Sequence, residues 1–470
     1  MGKKIELDSA EMTFLISEAV CILFYGLFTK FGEMTSPLLT AKEEEETTHF
    51  LQAKYPFFQD VNVMIFVGFG FLMVFLKNNS WCSIGFNYLI ACWAIQIGIL
   101  FYGFWHNITD FYTDPNHQWH KIELTLMSLL NADFAAGTVL ISFGAILGKC
   151  SLFQLWVMAT FEVFFYCMNE SILYNILGIY DIGGSIVIHA FGAFFGLSVA
   201  LFYQCEEAIE DKSKLNAGNY LSNLVSMVGT LFLFAFWPSF NGALGTGSGM
   251  QRSIINTYLS IACSVTASIV VSKFVHGGKL NMEIVLNAAL AGGVAVGSAA
   301  DIIVQPMGAM IAGFITGCIS AYGFAFISSF VKKHLRLHDT CGVLNLHGIP
   351  GVIGALISAI VAVRAGDSFG DSLNSTYPFT TGRTPQVQAG YQLAGLGICL
   401  GIAISTGLLT GFVTSRSYFQ PPPEQSLFDD KFHWANCVIE HEELHELKKQ
   451  MEAANAAPEP EMQRLRPTIN

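Results

Sequence analysis

The sequence is 470 residues long, with 52% hydrophobic and only 13% charged positions, and its mean hydropathy is +0.48. Soluble domains carry roughly 25% charged residues, so a water-exposed surface cannot be built from this inventory. The formal charge of −12 is concentrated in the ends and loops, in the run Glu43, Glu44, Glu45, Glu46 and in the tail after Gln420; with no basic patch, a nucleic-acid partner is disfavoured. The eleven cysteines are scattered without a C-x-x-C pair, which leaves zinc and redox readings unsupported and points to small buried hydrophobes.

Apolar stretches long enough to cross a bilayer, about 20 residues each, recur at 11–31, 57–76, 84–104, 124–146, 151–177, 183–203, 220–238, 254–273, 284–300, 304–330, 343–364 and 389–415. The ninth is short. The first is too long for a signal-peptide core and lacks a small-residue cleavage site, so it is expected to be retained. The pattern predicts an all-α integral membrane protein with about twelve transmembrane helices. Residues 1–415 form the membrane domain, and 416–470 form a polar tail with a possible short helix around 438–454.

Twelve crossings place both ends on one side. Loops on that side carry eleven Lys and Arg, the opposite loops seven, and the tail the remaining six of 24. By the positive-inside rule both termini are cytoplasmic, and the expected location is the plasma membrane. The sequons Asn107-Ile-Thr and Asn374-Ser-Thr fall in outer loops and are candidate glycosylation sites. Pairs of small residues four apart, such as Gly313 and Gly317, read as helix packing.

Ten of the twelve histidines lie in loops, tails or helix ends, whereas His189 and His347 lie well inside apolar spans. An ionisable group at membrane depth is a functional-site hypothesis by default, although a lone buried histidine is as often a hydrogen-bonded core residue. The surroundings shift that balance. The windows from Asp181 to Gly196 and from Asp339 to Gly354 both fit D-x-x-G-x-x-x-x-H-x-x-x-x-x-x-G. They begin spans six and eleven, which cross the membrane in opposite directions. That is the inverted-repeat pattern of transporters, with repeats about 57–203 and 220–364 and the site near the midplane. Each aspartate precedes its histidine by eight residues, about 12 Å of helix and close to half of a ~30 Å hydrocarbon core. The two histidines are therefore expected to meet at the bilayer centre. Asp339 reads as an N-cap; for Asp181, a cap and a role in the outer vestibule are both open.

These windows, together with Phe58 to Met73, Asn131-Ala-Asp-Phe134, Gly229 to Asn241 and Asn287 to Gly297, resemble the Rh glycoprotein branch of the ammonium transporter superfamily. The resemblance runs from the second span to the eleventh. It implies an Amt/Rh-type channel fold, a homotrimer with one pore per subunit, no cofactor, and His189 and His347 as paired pore residues hydrogen-bonded through ring nitrogens. It also implies a gate of two stacked phenylalanines, Phe134 and Phe240, at the outer pore mouth. Relatives with high ammonium affinity build a cation cage at the vestibule. This sequence reads Asn169-Glu170-Ser171 there without a Trp, and has Leu244 four residues after Phe240, so a weak trap is expected. Glu170 either draws cations to the vestibule or is a solvated rim carboxylate.

A dry pore offers ammonium no replacement for its hydration shell, whereas ammonia is uncharged and can bond to imidazole, which is both donor and acceptor when neutral. Conduction of neutral ammonia is the expected function. Carbon dioxide conduction, electrogenic ammonium transport and a structural anchoring role are the alternatives. A metal-dependent enzyme lacks a third ligand beside the two histidines.

Overall fold

The computed structural model describes residues 7–114, 116–370, 373 and 382–438. Among the described residues, ten helices are long and apolar enough to cross a membrane: α1 (Ser9–Phe28), α2 (Ala41–Phe75), α3 (Ser80–Thr113), α4 (Leu126–Ile146), α5 (Leu152–Leu177), α7 (Tyr220–Gly242), α8 (Gly247–Val275), α10 (Pro306–Leu335), α11 (Leu344–Phe369) and α12 (Pro385–Thr414). Two shorter apolar helices, α6 (Ser185–Ala200) and α9 (Met282–Gly297), complete the set. These correspond one to one with the twelve stretches in the sequence. The sixth and ninth fall short because each begins or breaks inside the protein. In α9 the helical run Met282–Ala288 stops and restarts at Ala291–Gly297.

Several helices run past the hydrocarbon. α2 begins at the acidic run, where Thr40 and Glu43 form a reciprocal capping box, so Glu43 to Glu46 occupy the start of a helix rather than a loop. Their charge near the positive end of the helix dipole is favourable. α3 is 34 residues long, about 51 Å at 1.5 Å per residue, and projects beyond the bilayer. There a parallel pair of three-residue strands, Thr29–Phe31 against Ile122–Leu124, ties the end of α1 to the segment entering α4.

Close helix contacts are made where Cβ atoms are missing. A Cβ on Gly313 would lie 2.0 Å from the Ser260 carbonyl, and one on Gly317 2.6 Å from Ser264 Oγ, so α10 meets α8 backbone to backbone. The serines use their hydroxyls internally, Ser260 to Gly292 O and Ser264 to Ala288 O, both at 2.8 Å, as a medium without water demands.

One face of the bundle is marked by the segment 416–438. Ser151 Oγ donates to Phe419 O, and Gln420 Nε2 donates to Asp8 Oδ2 at 3.3 Å, which puts the two described ends together. Phe428 is fully buried beside Gly148 and donates its N–H to the Gly148 carbonyl at 2.9 Å. Gly148 has φ +75°, and a Cβ there would strike the Phe428 ring at 2.5 Å. The Asp430 carboxylate accepts from the N–H groups of Trp81 and Cys82 at 2.9 and 2.8 Å, capping α3 from another part of the chain. The Trp434 indole fills the space over Gly85. The first part of the tail is therefore packed structure. The possible helix at 438–454 lies almost wholly outside the described residues.

Loss of an N-cap costs about 1–2 kcal/mol. Asp430→Ala is therefore expected to lower the melting temperature in detergent and to expose Trp434 to solvent quenching, while Asp430→Asn, which keeps an acceptor, loses less. An unchanged melting curve for the alanine variant would contradict this role of the tail.

Candidate functional site

The D-x-x-G segments build two matching helix starts. Asp181 Oδ2 accepts from the N–H groups of Ile186 and Val187 at 2.9 and 2.8 Å. Asp339 accepts from Val343 and Leu344 at 3.0 and 2.9 Å. Three residues after each aspartate a glycine turns left-handed, Gly184 at φ +70° and Gly342 at φ +68°, the region that glycine enters without a Cβ penalty. Each turn opens into a widened, π-helical stretch, Ser185–Ala190 and Leu344–Gly348, and each stretch carries the histidine. Such bulges recur at functional sites because they re-aim a side chain out of the regular 3.6 period.

The two starts lie at opposite faces. Gly183 N–H donates to Gly297 O at 2.9 Å, and Ser185 Oγ donates to Val294 O, pinning the α6 start to the end of α9. The α11 start lies beside the tail face, where Cys341 N–H donates to Gly144 O and Lys149 Nζ donates to His338 O. The helices run toward each other, and His189 Nδ1 comes within 3.2 Å of His347 Nδ1 with the rings inclined by 15°. One nitrogen of that contact donates and the other accepts. Both rings are buried, and His189 Nε2 has no partner among the described residues.

Aromatic rings extend the pair into a line. Phe240 packs on His189 at 5.7 Å between centroids, Trp237 stacks on the same ring at 5.6 Å, and Phe69 stacks on His347 at 6.2 Å. Phe134 meets Phe240 at 4.8 Å. The two phenylalanines are brought together as expected, but edge to face at 69° rather than in parallel, the arrangement that ring quadrupoles favour.

Cavities lie toward each face. The far one, about 830 Å³, is lined by residues including Tyr102, His106, Asn175, Asp181, Arg252 and Asp301. The one on the tail side, about 240 Å³, includes Phe75, Asn216, Glu283, Lys332, His338 and Asp339. On the far rim Asp301 accepts from Tyr180 Oη at 2.5 Å, and its carbonyl accepts from Arg252 Nε at 2.7 Å; burial pushes its carboxyl up to about 6. On the tail side burial lowers Lys149 to about 8. Burial and the cations Lys149 and Lys332 push His338 well below the usual histidine range, so its ring is held neutral.

The remaining sequence candidates are placed as follows. Asp181 lines the far cavity, but its carboxylate is committed to the α6 start and to the Ser298 hydroxyl. Glu170 is mostly enclosed, its side chain 10% exposed beside His106. Leu244 lies on the cavity wall. Asn107 sits inside α3, its Nδ2 donates to Gly103 O and His120 O, and its Oδ1 accepts from His120 N–H. A glycan on Nδ2 would replace one of its two N–H groups and leave the other to donate. Asn374 lies outside the described residues. Phe69 and Trp237 belong to motifs recognised in the sequence but were not singled out there. Arg252, Asp301 and His106 carry no local signal, because their partners are far away in the chain.

Fold and site together define a polytopic membrane protein with a histidine pair set among aromatic rings and a cavity toward each face. The chain belongs to the Ammonium Transporter Family, whose model matches residues 20–425. It is 41% identical over 443 residues to ammonium transporter Rh type B of Danio rerio, covering 93% of this chain and 94% of that one. It is 40% identical over 436 residues to ammonium transporter Rh type C of Canis lupus familiaris, covering 90% and 92%. Among solved structures it is similar to Nitrosomonas europaea Rh50, of the Rhesus family of channels, with a TM-score of 0.70 and 31% identity over 87% of this chain and all of that one.

Substitution of Gly342 tests the local geometry. A Cβ there lies 2.2 Å from the Phe324 ring, and the left-handed backbone adds about 1–2 kcal/mol. Gly342→Ala is expected to reduce thermal stability and to impair any activity that needs the histidine pair. Wild-type stability in this variant would show that the turn does not set the register of α11.

Proposed function

We propose that the chain conducts ammonia in its neutral form between the two cavities. The observation that carries this reading is the buried Nδ1–Nδ1 pair with an unpartnered ring nitrogen on His189. Around it the passage is walled by Phe134, Phe240, Trp237 and Phe69. A cation entering this passage exchanges its hydration for ring faces and a few polar atoms, and removing an unpaired ammonium-type charge from water costs several kcal/mol or more. Neutral ammonia offers a lone pair and three N–H groups, which match an imidazole pair that donates and accepts. Ammonium loses a proton at the far cavity, ammonia passes Phe134 and Phe240 and then the histidines, and it is reprotonated at the tail side.

The membrane domain 1–415 is read as an inverted repeat, 57–203 and 220–364, between α1 and α12. The chain is taken to work as a homotrimer in the plasma membrane, its tail face cytoplasmic. Carbon dioxide is a second candidate permeant, favoured by the same apolar lining.

Proteoliposome flux, recorded as internal pH after an ammonium jump with current measured in parallel, tests the proposal. The expected result is fast alkalinisation without current, reduced by about 100-fold or more in His189→Ala and His347→Ala if these rings replace several kcal/mol of lost hydration. Current that tracks flux would convert the mechanism to net ammonium transport. Flux equal to that of empty liposomes would remove ammonia conduction and leave carbon dioxide or an anchoring role.

A further inference from the structure

A second histidine system lies at the far cavity. His106, near the end of α3, has its ring stacked on Tyr102 with centroids 4.0 Å apart. Its Nδ1 is 3.2 Å from Asn175 Nδ2, which also donates to Thr109 Oγ1 at 3.0 Å. An amide nitrogen only donates, so Nδ1 is an acceptor and the ring proton resides on Nε2. That nitrogen faces Glu170 Oε2 at 3.4 Å. The imidazole is the more open member of the pair, with its side chain 27% exposed against 10% for Glu170, and it lines the cavity together with Tyr102 and Asn175. A carboxylate behind one ring nitrogen and, on the other, an acceptor engaged only by the Asn175 amide is the layout of a general base oriented by an acid.

We propose that His106, oriented by Glu170, is the group that takes the proton from ammonium at the far cavity. This rests on the conduction reading above and names the acceptor it requires. An N–H bond of ammonium breaks and its electron pair remains on nitrogen as the lone pair of ammonia. The proton bonds to His106 Nδ1 as Asn175 Nδ2 yields its hydrogen bond. The imidazolium is held by the Glu170 carboxylate until the proton leaves to water on the far side, and ammonia continues toward Phe134 and Phe240. The same steps run backward for flux in the other direction. Glu170 thus acts through His106 instead of contacting the cargo. The other titratable or charged groups around the ring are Tyr102 and Asp110 on its own helix, Tyr174 at the end of α5, and Asp181, Arg252 and Asp301, which line the same cavity.

Vesicles captured through a C-terminal tag, so that the far face encloses the lumen, allow the pH at each face to be set separately at a constant ammonia gradient. General acid–base assistance is commonly worth ~100-fold, so His106→Gln is expected to lower flux by about 100-fold and to flatten the dependence on far-side pH, leaving tail-side pH dependence unchanged. Glu170→Gln is expected to lower flux less and to displace the far-side profile, which provides a second reading should the first variant fold poorly. Wild-type flux and profile in His106→Gln would overturn the proposal. So would a uniform loss of flux with the wild-type far-side profile, the signature of a merely structural role. Absence of flux in the wild type is a different result, because it removes the conduction reading and this inference with it.

Discussion

Two imidazoles in contact at 3.2 Å in the middle of a hydrocarbon-thick protein form an arrangement that water would readily dissolve and that lipid does not permit to be left unmade. Both rings must be delivered to one depth, from opposite faces, with compatible tautomers. Much of the surrounding architecture follows from this. The Asp181 and Asp339 caps fix where α6 and α11 begin, and Gly184 and Gly342 provide the left-handed turns before them. The widened turns then swing the histidines into register. α6 and α9 are short because their far-side ends meet inside the protein, Gly183 against Gly297 and Ser185 against Val294. Irregular backbone at membrane depth is tolerated where protein covers it or where it lines a passage, and the widened turns around His189 and His347 are buried or nearly so.

The depth of the histidines was legible because helix geometry converts residue counts into distance. An eight-residue offset and a crossing parity suffice to predict the contact of His189 with His347. The twelve spans were legible for a related reason, since a bilayer sets a minimum length for apolar helix. Hydropathy ceased to be informative where the chain leaves the hydrocarbon. The acidic run read as a loop is helical because Thr40 and Glu43 cap each other, a signal carried by two side chains and invisible to averaged polarity. Asn107 matches a sequon, but a three-residue pattern records nothing of the carbonyls of Gly103 and His120 that occupy its amide.

The tail shows the same limit. Its polarity and the prolines at 421–423 suggest a segment without structure, yet Phe428 is fully buried and Asp430 supplies the cap that α3 lacks from Asn79. A cap donated from a position 349 residues away leaves no trace in local sequence. His106, Glu170 and Asn175 are likewise assembled from two helices, so composition reveals each residue type but not their meeting.

The line of rings from Phe134 to Phe69 also bears on what the passage can select. An aromatic face attracts a cation modestly, by about 0.5–2 kcal/mol, far less than the cost of removing hydration from ammonium. On the proposed mechanism, Phe134 and Phe240 would therefore not need to recognise ammonium in order to reject it. They need only exclude enough water that a charged species has no solvent in the gap between the far cavity and His189. Their edge-to-face contact serves this better than parallel stacking, because an edge turned into a neighbouring face closes the gap between rings while leaving each free to tilt. Selectivity in such a passage arises mainly from what the walls withhold. On the proposed mechanism the histidines would supply the few hydrogen bonds that a neutral nitrogen hydride still requires once water has been removed.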